Sequence, residues 1–204
     1  YASSCENEAS PEGKVGVMWA DVSRETFDRL EAFAKLVEKW NPAINLIARS
    51  TLPDLRSRHI EDSLQLLRLI DGPVDHWVDL GSGGGFPGVV IAICAEDFHP
   101  IKKITLIESD KRKATFLRTA LRETGSSAAV IAERIEHAEP QNASVVSARA
   151  LADLKTLTPL ALRHLRPDGM CLFPKGVRWQ EELTEMQSQW SFSHEACKSA
   201  TDDQ

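Results

Sequence analysis

Tyrosine occurs once in 204 residues, the four cysteines never fall in a spacing that ligates metal, and the longest apolar run, Val89–Ala95, stops after seven residues. A membrane-spanning helix needs roughly 18 to 20 apolar residues, so no span and no membrane partner are expected. No basic-then-apolar leader opens the chain, which predicts no export signal and a cytoplasmic protein. Cys94 and Cys171 sit inside the apolar runs "IAICAE" and "GMCLFP" and read as small buried hydrophobes. Cys5 and Cys197 add no ligand-like pair, so neither disulfide nor metal site is predicted. Positive charge is also in deficit, with 24 Lys and Arg against 30 Asp and Glu and a net charge of -6. That balance excludes a wholly basic nucleic-acid protein but leaves room for a local basic face. Residues 141–178 carry six basic and two acidic side chains, whereas 179–204 carry one and six. With 42% hydrophobic and 26% charged residues, the remaining composition is that of an ordinary globular chain.

The organisation divides in three. Residues 1–20 lack periodicity and read as a flexible tail. Residues 21–72 read as a small helical segment. Ser23 is a candidate N-cap for a helix with Phe27, Leu30, Phe33, Ala34 and Val37 on one stripe, ended by Asn41-Pro42. A second helix is expected over about Leu52 to Ile70, stopped by Gly72-Pro73. From residue 73 to 204 short apolar runs alternate with amphipathic stretches. Strands are predicted at Trp77–Leu80, Ile104–Glu108, Ala129–Ala132, Ser144–Ser147 and Met170–Phe173. Helices are predicted at about Pro87–Ala95, Lys111–Thr124, Asp153–Leu165 and Gln180–Trp190. That alternation implies an α/β fold, a mostly parallel sheet with helices on both faces, in a single domain with the helical segment.

The stretch Val78–Gly88, "VDLGSGGGFPG", places five glycines in eight residues after the first strand. A strand that turns through glycines into a helix sets backbone amides beside a ligand at the sheet's carboxyl edge. Two frames fit. Gly83, Gly85 and Gly88 satisfy G-x-G-x-x-G with Glu108 twenty residues on, as a dinucleotide site would. In the other frame Asp79 precedes Gly81, Gly83 and Gly85, which suits S-adenosylmethionine, since a carboxylate favours its cationic amino-acid end. In both, Glu108 is placed to accept hydrogen bonds from two ribose hydroxyls. Ile135 and Glu136 follow the third strand, where either an adenine edge or a solvated acidic turn is possible.

Together with "RHIEDS" at Arg58–Ser63, "IESDKRKATFLR" at Ile107–Arg118, "SARA" at Ser147–Ala150 and "FPKG" at Phe173–Gly176, the loop makes residues 41–190 closely resemble the RsmG (GidB) family. These bacterial enzymes methylate N7 of one guanine in 16S ribosomal RNA with S-adenosylmethionine. The resemblance implies a class I, Rossmann-like methyltransferase fold, with 16S rRNA of the small ribosomal subunit as partner. It implies cofactor contacts at Asp79, Gly81, Gly83, Phe86, Glu108, Ser109, Asp110, Ile135, Glu136 and Arg149, with Arg149 and Arg134 as the catalytic arginines. His59, Asp62 and Ser63 match the family's N-terminal signature, and His59 is expected either at the RNA, stacked on a base, or as a structural hydrogen-bond partner beside Asp62. Lys111, Arg112, Lys175 and Gly176 match its basic, RNA-facing positions, and Arg178, Arg163, Arg166 and Lys113 could line the same path or be solvated surface charges. The family sheet closes with a C-terminal hairpin, and here either the edge after the fifth strand is open or the protein is longer than this sequence. A monomer is expected.

Guanine N7 presents a lone pair and carries no proton at neutral pH, so in-line displacement from a sulfonium requires positioning rather than a general base. Methylation at a pyrimidine C5 would need a cysteine nucleophile, which the apolar settings of Cys94 and Cys171 do not favour. Methylation of an amino group commonly uses D/N-P-P-Y/F after strand four, where this sequence has "SARALADL". Two other readings stay open: an NAD-dependent oxidoreductase, and a non-catalytic rRNA-binding or ribosome-assembly factor.

Overall fold

The computed structural model describes residues 22–98, 100–188 and 190–199, and the tail expected over residues 1–20 lies outside them. Ser23 caps α1 (Arg24–Ile44), its Oγ accepting the Thr26 N–H at 3.2 Å. The expected stop at Asn41-Pro42 is overrun by three residues. Asn45, in the left-handed region, ends the helix with its N–H on the Asn41 carbonyl. Asn41 is itself buried, and its Oδ1 accepts the Ile47 N–H at 2.9 Å, fixing the turn that follows.

The second expected helix is shorter and irregular. Residues 56–69 form a wide π turn at Arg56–Glu61, one α-turn, α2 (Asp62–Gln65), and a 3-10 turn at Leu66–Leu69. Leu55, Ile60, Leu64 and Leu67 from this stretch are fully buried. A π turn displaces side chains by one position relative to an α-helix and is common where a side chain must be re-aimed at a site.

Five parallel strands follow: β1 (Trp77–Leu80), β2 (Ile104–Ile107), β3 (Ala129–Ile131), β4 (Ala143–Ser147) and β5 (Leu165–Leu172), in the order β3-β2-β1-β4-β5. Between them run α3 (Gly88–Phe98), α4 (Lys111–Glu123) and α5 (Leu154–His164), and α6 (Trp179–Gln187) comes last. Alternation along the strands sorts side chains by face. Trp77, Ile104, Leu106 and Val145 join α1, α3 and α4 in one apolar core, in which Phe33, Trp40, Phe86 and Phe116 stack at ring separations of 5.2 to 6.4 Å. Val78, Leu80, Ile107 and Val146 join Leu157 and Ala161 of α5 in a second core on the opposite face. The helical segment therefore completes one face of the sheet. Burying each of Phe33, Trp77 and Phe116 contributes about 1.5–3 kcal/mol.

Other boundaries also differ from expectation. β5, expected at Met170–Phe173, begins at Leu165 and ends at Leu172. As an edge strand it tolerates proline, and a register shift opposite Ala143 and Val145 absorbs the extra residues. Helix α3 begins after Pro87, at Gly88, and the Phe86–Pro87 peptide is cis.

Candidate active site

Chain order reverses between β1 and β4, so the crevice at their carboxyl ends is where an open α/β sheet binds ligands. Register supplies the details. Asp79 lies beside Ser147, and the Ser147 hydroxyl donates to Asp79 Oδ1 at 2.8 Å while accepting the Trp77 Nε1–H at 2.9 Å. The Gly88 N–H, at the start of α3, donates to Asp79 Oδ2 at 3.2 Å. Leu80 lies beside Ile107, which brings the glycine bend level with Glu108. The Gly83 N–H donates to Glu108 Oε2 at 2.8 Å, and the Asp110 N–H to Oε1 at 2.7 Å.

The glycines divide by what lies against them. A Cβ at Gly84 would come within 2.9 Å of the Leu46 carbonyl oxygen, one at Gly85 within 2.7 Å of Val89, and one at Gly88 within 2.6 Å of Asp79 Oδ2. These three let the bend close against the helical segment and β1. At Gly81 the neighbour is the tip of Leu151, an exposed side chain from the loop after β4. Gly83 alone faces open space, with only the Gly81 carbonyl oxygen at 3.6 Å, and its φ of +51° is one that glycine adopts freely. The bare backbone that a ligand requires is thus confined to the first half of the bend.

Charge then discriminates between ligands. The Gly83 amide, which an anion would use, is taken by the Glu108 carboxylate, and a second carboxylate, Asp79, lies beneath the loop. A pyrophosphate placed here would face two anions. A cationic nucleoside fits, with Glu108 retaining lone pairs for hydroxyl donors.

The remaining expected residues take three kinds of place. Ile135 is buried, its carbonyl accepts His164 Nε2 at 3.0 Å, and Arg163 donates to the Ala138 carbonyl at 3.1 Å, so the last turn of α5 holds the 134–138 turn from behind. Arg134 and Glu136 are exposed and pair at 3.0 Å. Asp110 caps α4 by accepting the Arg112 and Lys113 amides, which hold its carboxyl below the usual range, and Ser109 is exposed beside it.

Arg149 reaches across the crevice mouth to the helical segment. It donates to the Arg58 carbonyl at 3.1 Å, contacts His59 Nδ1, lies over the Phe86 ring at 5.4 Å, and stands 4.0 Å from Asp62. Ser63 donates to the His59 carbonyl at 2.6 Å. Lys175 is largely committed within the protein, to the Ala152 carbonyl and Glu182, both at 2.7 Å. Lys111, Arg112 and Arg178 are exposed. Leu151 and His164 had no signal in the sequence, because each acts on a partner brought close only by the sheet.

A family model described as GidB, rRNA small subunit methyltransferase G, matches residues 26–203. The chain belongs to that family. Proteins named ribosomal RNA small subunit methyltransferase G are 52% identical in Ruegeria pomeroyi over 90% of both chains, and 54% identical in Rhodospirillum centenum over 89% of this chain and 82% of the relative. The relative of the same name from Cereibacter sphaeroides is 53% identical over 89% of this chain and 88% of its own. Among solved structures, the tRNA methyltransferase TrmI of Aquifex aeolicus shares the fold over 61% of this chain and 50% of its own, at 12% identity and a TM-score of 0.50. The fold is that of a class I methyltransferase.

Within this family member the Asp79 carboxyl is unusual: burial, outweighing the Ser147, Ser82 and Gly88 hydrogen bonds, pushes it up to about 6 from 3.8. An acid with a raised folded pKa keeps its proton in the fold while the unfolded chain has lost it. Asp79 therefore lowers stability progressively as pH rises from about 4 to about 6, by ~3 kcal/mol in all. Asp79→Asn should remove that slope and raise stability above pH 6, since an amide can still accept from Gly88 and donate to Ser147. It should also weaken adenosylmethionine and adenosylhomocysteine alike, since both carry the α-ammonium that the carboxylate favours. Urea unfolding of both proteins between pH 4.5 and 8 checks the first claim, and identical pH slopes would contradict it.

Proposed function

We propose that this chain methylates N7 of a guanine in 16S ribosomal RNA of the small ribosomal subunit, acting as a monomer in the cytoplasm, with S-adenosylmethionine as donor. The observation that carries the reading is the bend at Gly83, open on its ligand side, with Glu108 beside it and Asp79 below. When bound, adenosylmethionine supplies an electrophilic methyl group on a sulfonium. On this reading Gly81, Gly83 and Phe86 line the cofactor, and Glu108, Ser109 and Asp110 receive its ribose and adenine edge. Ile135 and Glu136 flank the adenine, and Asp79 favours the positive end through its charge.

The protein's task at N7 is orientation, because the nucleophile is already a lone pair. On this reading Arg149 acts at the rim, and Arg134, exposed and paired with Glu136, is the second arginine of the site. The contacts Arg149 makes to Arg58 and His59 leave further N–H groups of its fork for guanine O6 or a phosphate. The thiols of Cys94 and Cys171 support no rival route. Burial pushes Cys94 up from its ordinary range and Cys171 up to about 11, so neither is a ready thiolate. Exposed Lys111, Arg112 and Arg178 suit phosphates of the RNA, with Lys175 holding the loop that carries Leu151 and offering its third N–H.

The test is incubation with methyl-labelled adenosylmethionine and small subunits that lack the modification, followed by mapping of the labelled nucleotide. Label at N7 of one guanine in 16S rRNA is expected. Binding to subunits without transfer would make the chain an assembly factor, and label on another atom would overturn the stated chemistry.

A further inference from the structure

A hydrogen-bonded relay links the turn after α1 to the rim arginine. The Thr51 hydroxyl donates to the Ala48 carbonyl at 3.0 Å, and its oxygen lies 2.9 Å from His59 Nε2. Across the ring, His59 Nδ1 meets Arg149 Nη2. A guanidinium offers only N–H groups, so Nδ1 must be the acceptor and the single ring proton must sit on Nε2. Thr51, with its own hydrogen spent on Ala48, can only accept there. The ring also lies on Phe86 at a centroid separation of 5.2 Å, the same ring that Arg149 covers. Both nitrogens and one face of His59 are therefore engaged inside the protein.

The charged groups around the ring reinforce the neutral form. Burial, then Arg149, then Arg58 depress the imidazole to about 4, and Asp62 stands 4.0 Å from the guanidinium. A protonated ring would present N–H to N–H and release the arginine.

We propose that Thr51 and His59 are positioning residues: Thr51 fixes the His59 proton on Nε2, which leaves Nδ1 to hold Arg149 over Phe86 at the mouth of the site. This rests on the reading of Arg149 as a rim residue of methyl transfer. It replaces an RNA contact for His59 with a role exerted through the arginine, and it gives Thr51 a part although it lies in a short 3-10 turn, Arg49–Thr51, away from the crevice.

The test combines nitrogen-15 NMR of the His59 ring with methyl-transfer kinetics on small subunits. In the wild-type chain at neutral pH, Nε2 should carry the proton and Nδ1 should resonate as an unprotonated acceptor. Thr51→Val should lower kcat about tenfold with KM for subunits nearly unchanged. His59→Gln, whose amide reaches the Nε2 position, should lose about 10- to 100-fold. His59→Asn, whose Oδ1 can stand in for Nδ1, should stay within about threefold of wild type, a rescue that lost packing would not produce. A proton on Nδ1, or wild-type kcat in Thr51→Val, overturns the proposal. So does a raised KM shared by His59→Asn and His59→Gln, which would make His59 an RNA contact. If the wild-type chain transfers no methyl group, the functional reading fails, while the ring spectrum still decides the relay.

Discussion

Gly83→Val is expected to abolish measurable adenosylmethionine binding while the protein stays folded. The valine methyls would project into the space the bend leaves open, where the nearest protein atom to a new Cβ is 3.6 Å away. The backbone there has φ +51°, so a branched residue adds strain of about 1–2 kcal/mol, which a domain of this size survives. Gly88→Ala supplies the contrast. Its Cβ would meet Asp79 Oδ2 at 2.6 Å and the Leu106 side chain, inside the sheet–helix core, and overpacking of that kind costs about 1–3 kcal/mol or more. Thermal unfolding beside calorimetric titration separates the two variants: the first should lose binding heat with a small drop in midpoint, the second should lose stability. Wild-type binding by Gly83→Val would mean that the ligand does not use this bend.

Arg149→Ala should lower methyl transfer by about tenfold or more, with a folded protein remaining. The guanidinium touches both the glycine bend, through Phe86, and the π turn, through the Arg58 carbonyl and His59. Its removal should therefore loosen the crevice mouth and take away a donor for the guanine or its phosphate. Loss of those contacts is expected to lower stability by about 1–3 kcal/mol, too little to unfold the chain. Arg149→Lys should not restore activity, because a single ammonium cannot hold the carbonyl, the imidazole and the ring together. Initial rates at saturating donor and subunits, beside unfolding midpoints, decide the matter. Undiminished rates would make Arg149 a strut between the two segments.

The parts of this fold that follow local rules were legible in the sequence. β1 was placed to the residue and α4 to within one, because Trp77–Leu80 is apolar but for Asp79 and Asp110 is a good N-cap. Boundaries failed where a distant partner overrides a local signal. Pro42 did not stop α1, since the chain exit is fixed by Asn41 and Asn45, and Pro167 did not delay β5, since an edge strand lacks a neighbour for that N–H.

The candidate site shows the same division. The carboxylate-led bend was readable as a ligand loop, but the sequence could not show that Gly84, Gly85 and Gly88 face protein while Gly83 faces open space. Nor could it show that His59, expected at the RNA, has both ring nitrogens engaged by Thr51 and Arg149, the latter ninety residues away in the chain. Lys175 likewise looked like a free cation and is held by Ala152 and Glu182. Such pairings depend on which loops the parallel sheet gathers at its carboxyl edge, and no spacing rule encodes them.

The central claim is that two carboxylates and a side-chain-free bend seat a cationic nucleoside rather than a pyrophosphate. Calorimetric titration of the wild-type chain with adenosylmethionine and, separately, with NAD tests it most directly. Saturable one-to-one binding of adenosylmethionine and no heat from NAD is the result expected. Saturable binding of NAD with none of adenosylmethionine would contradict it.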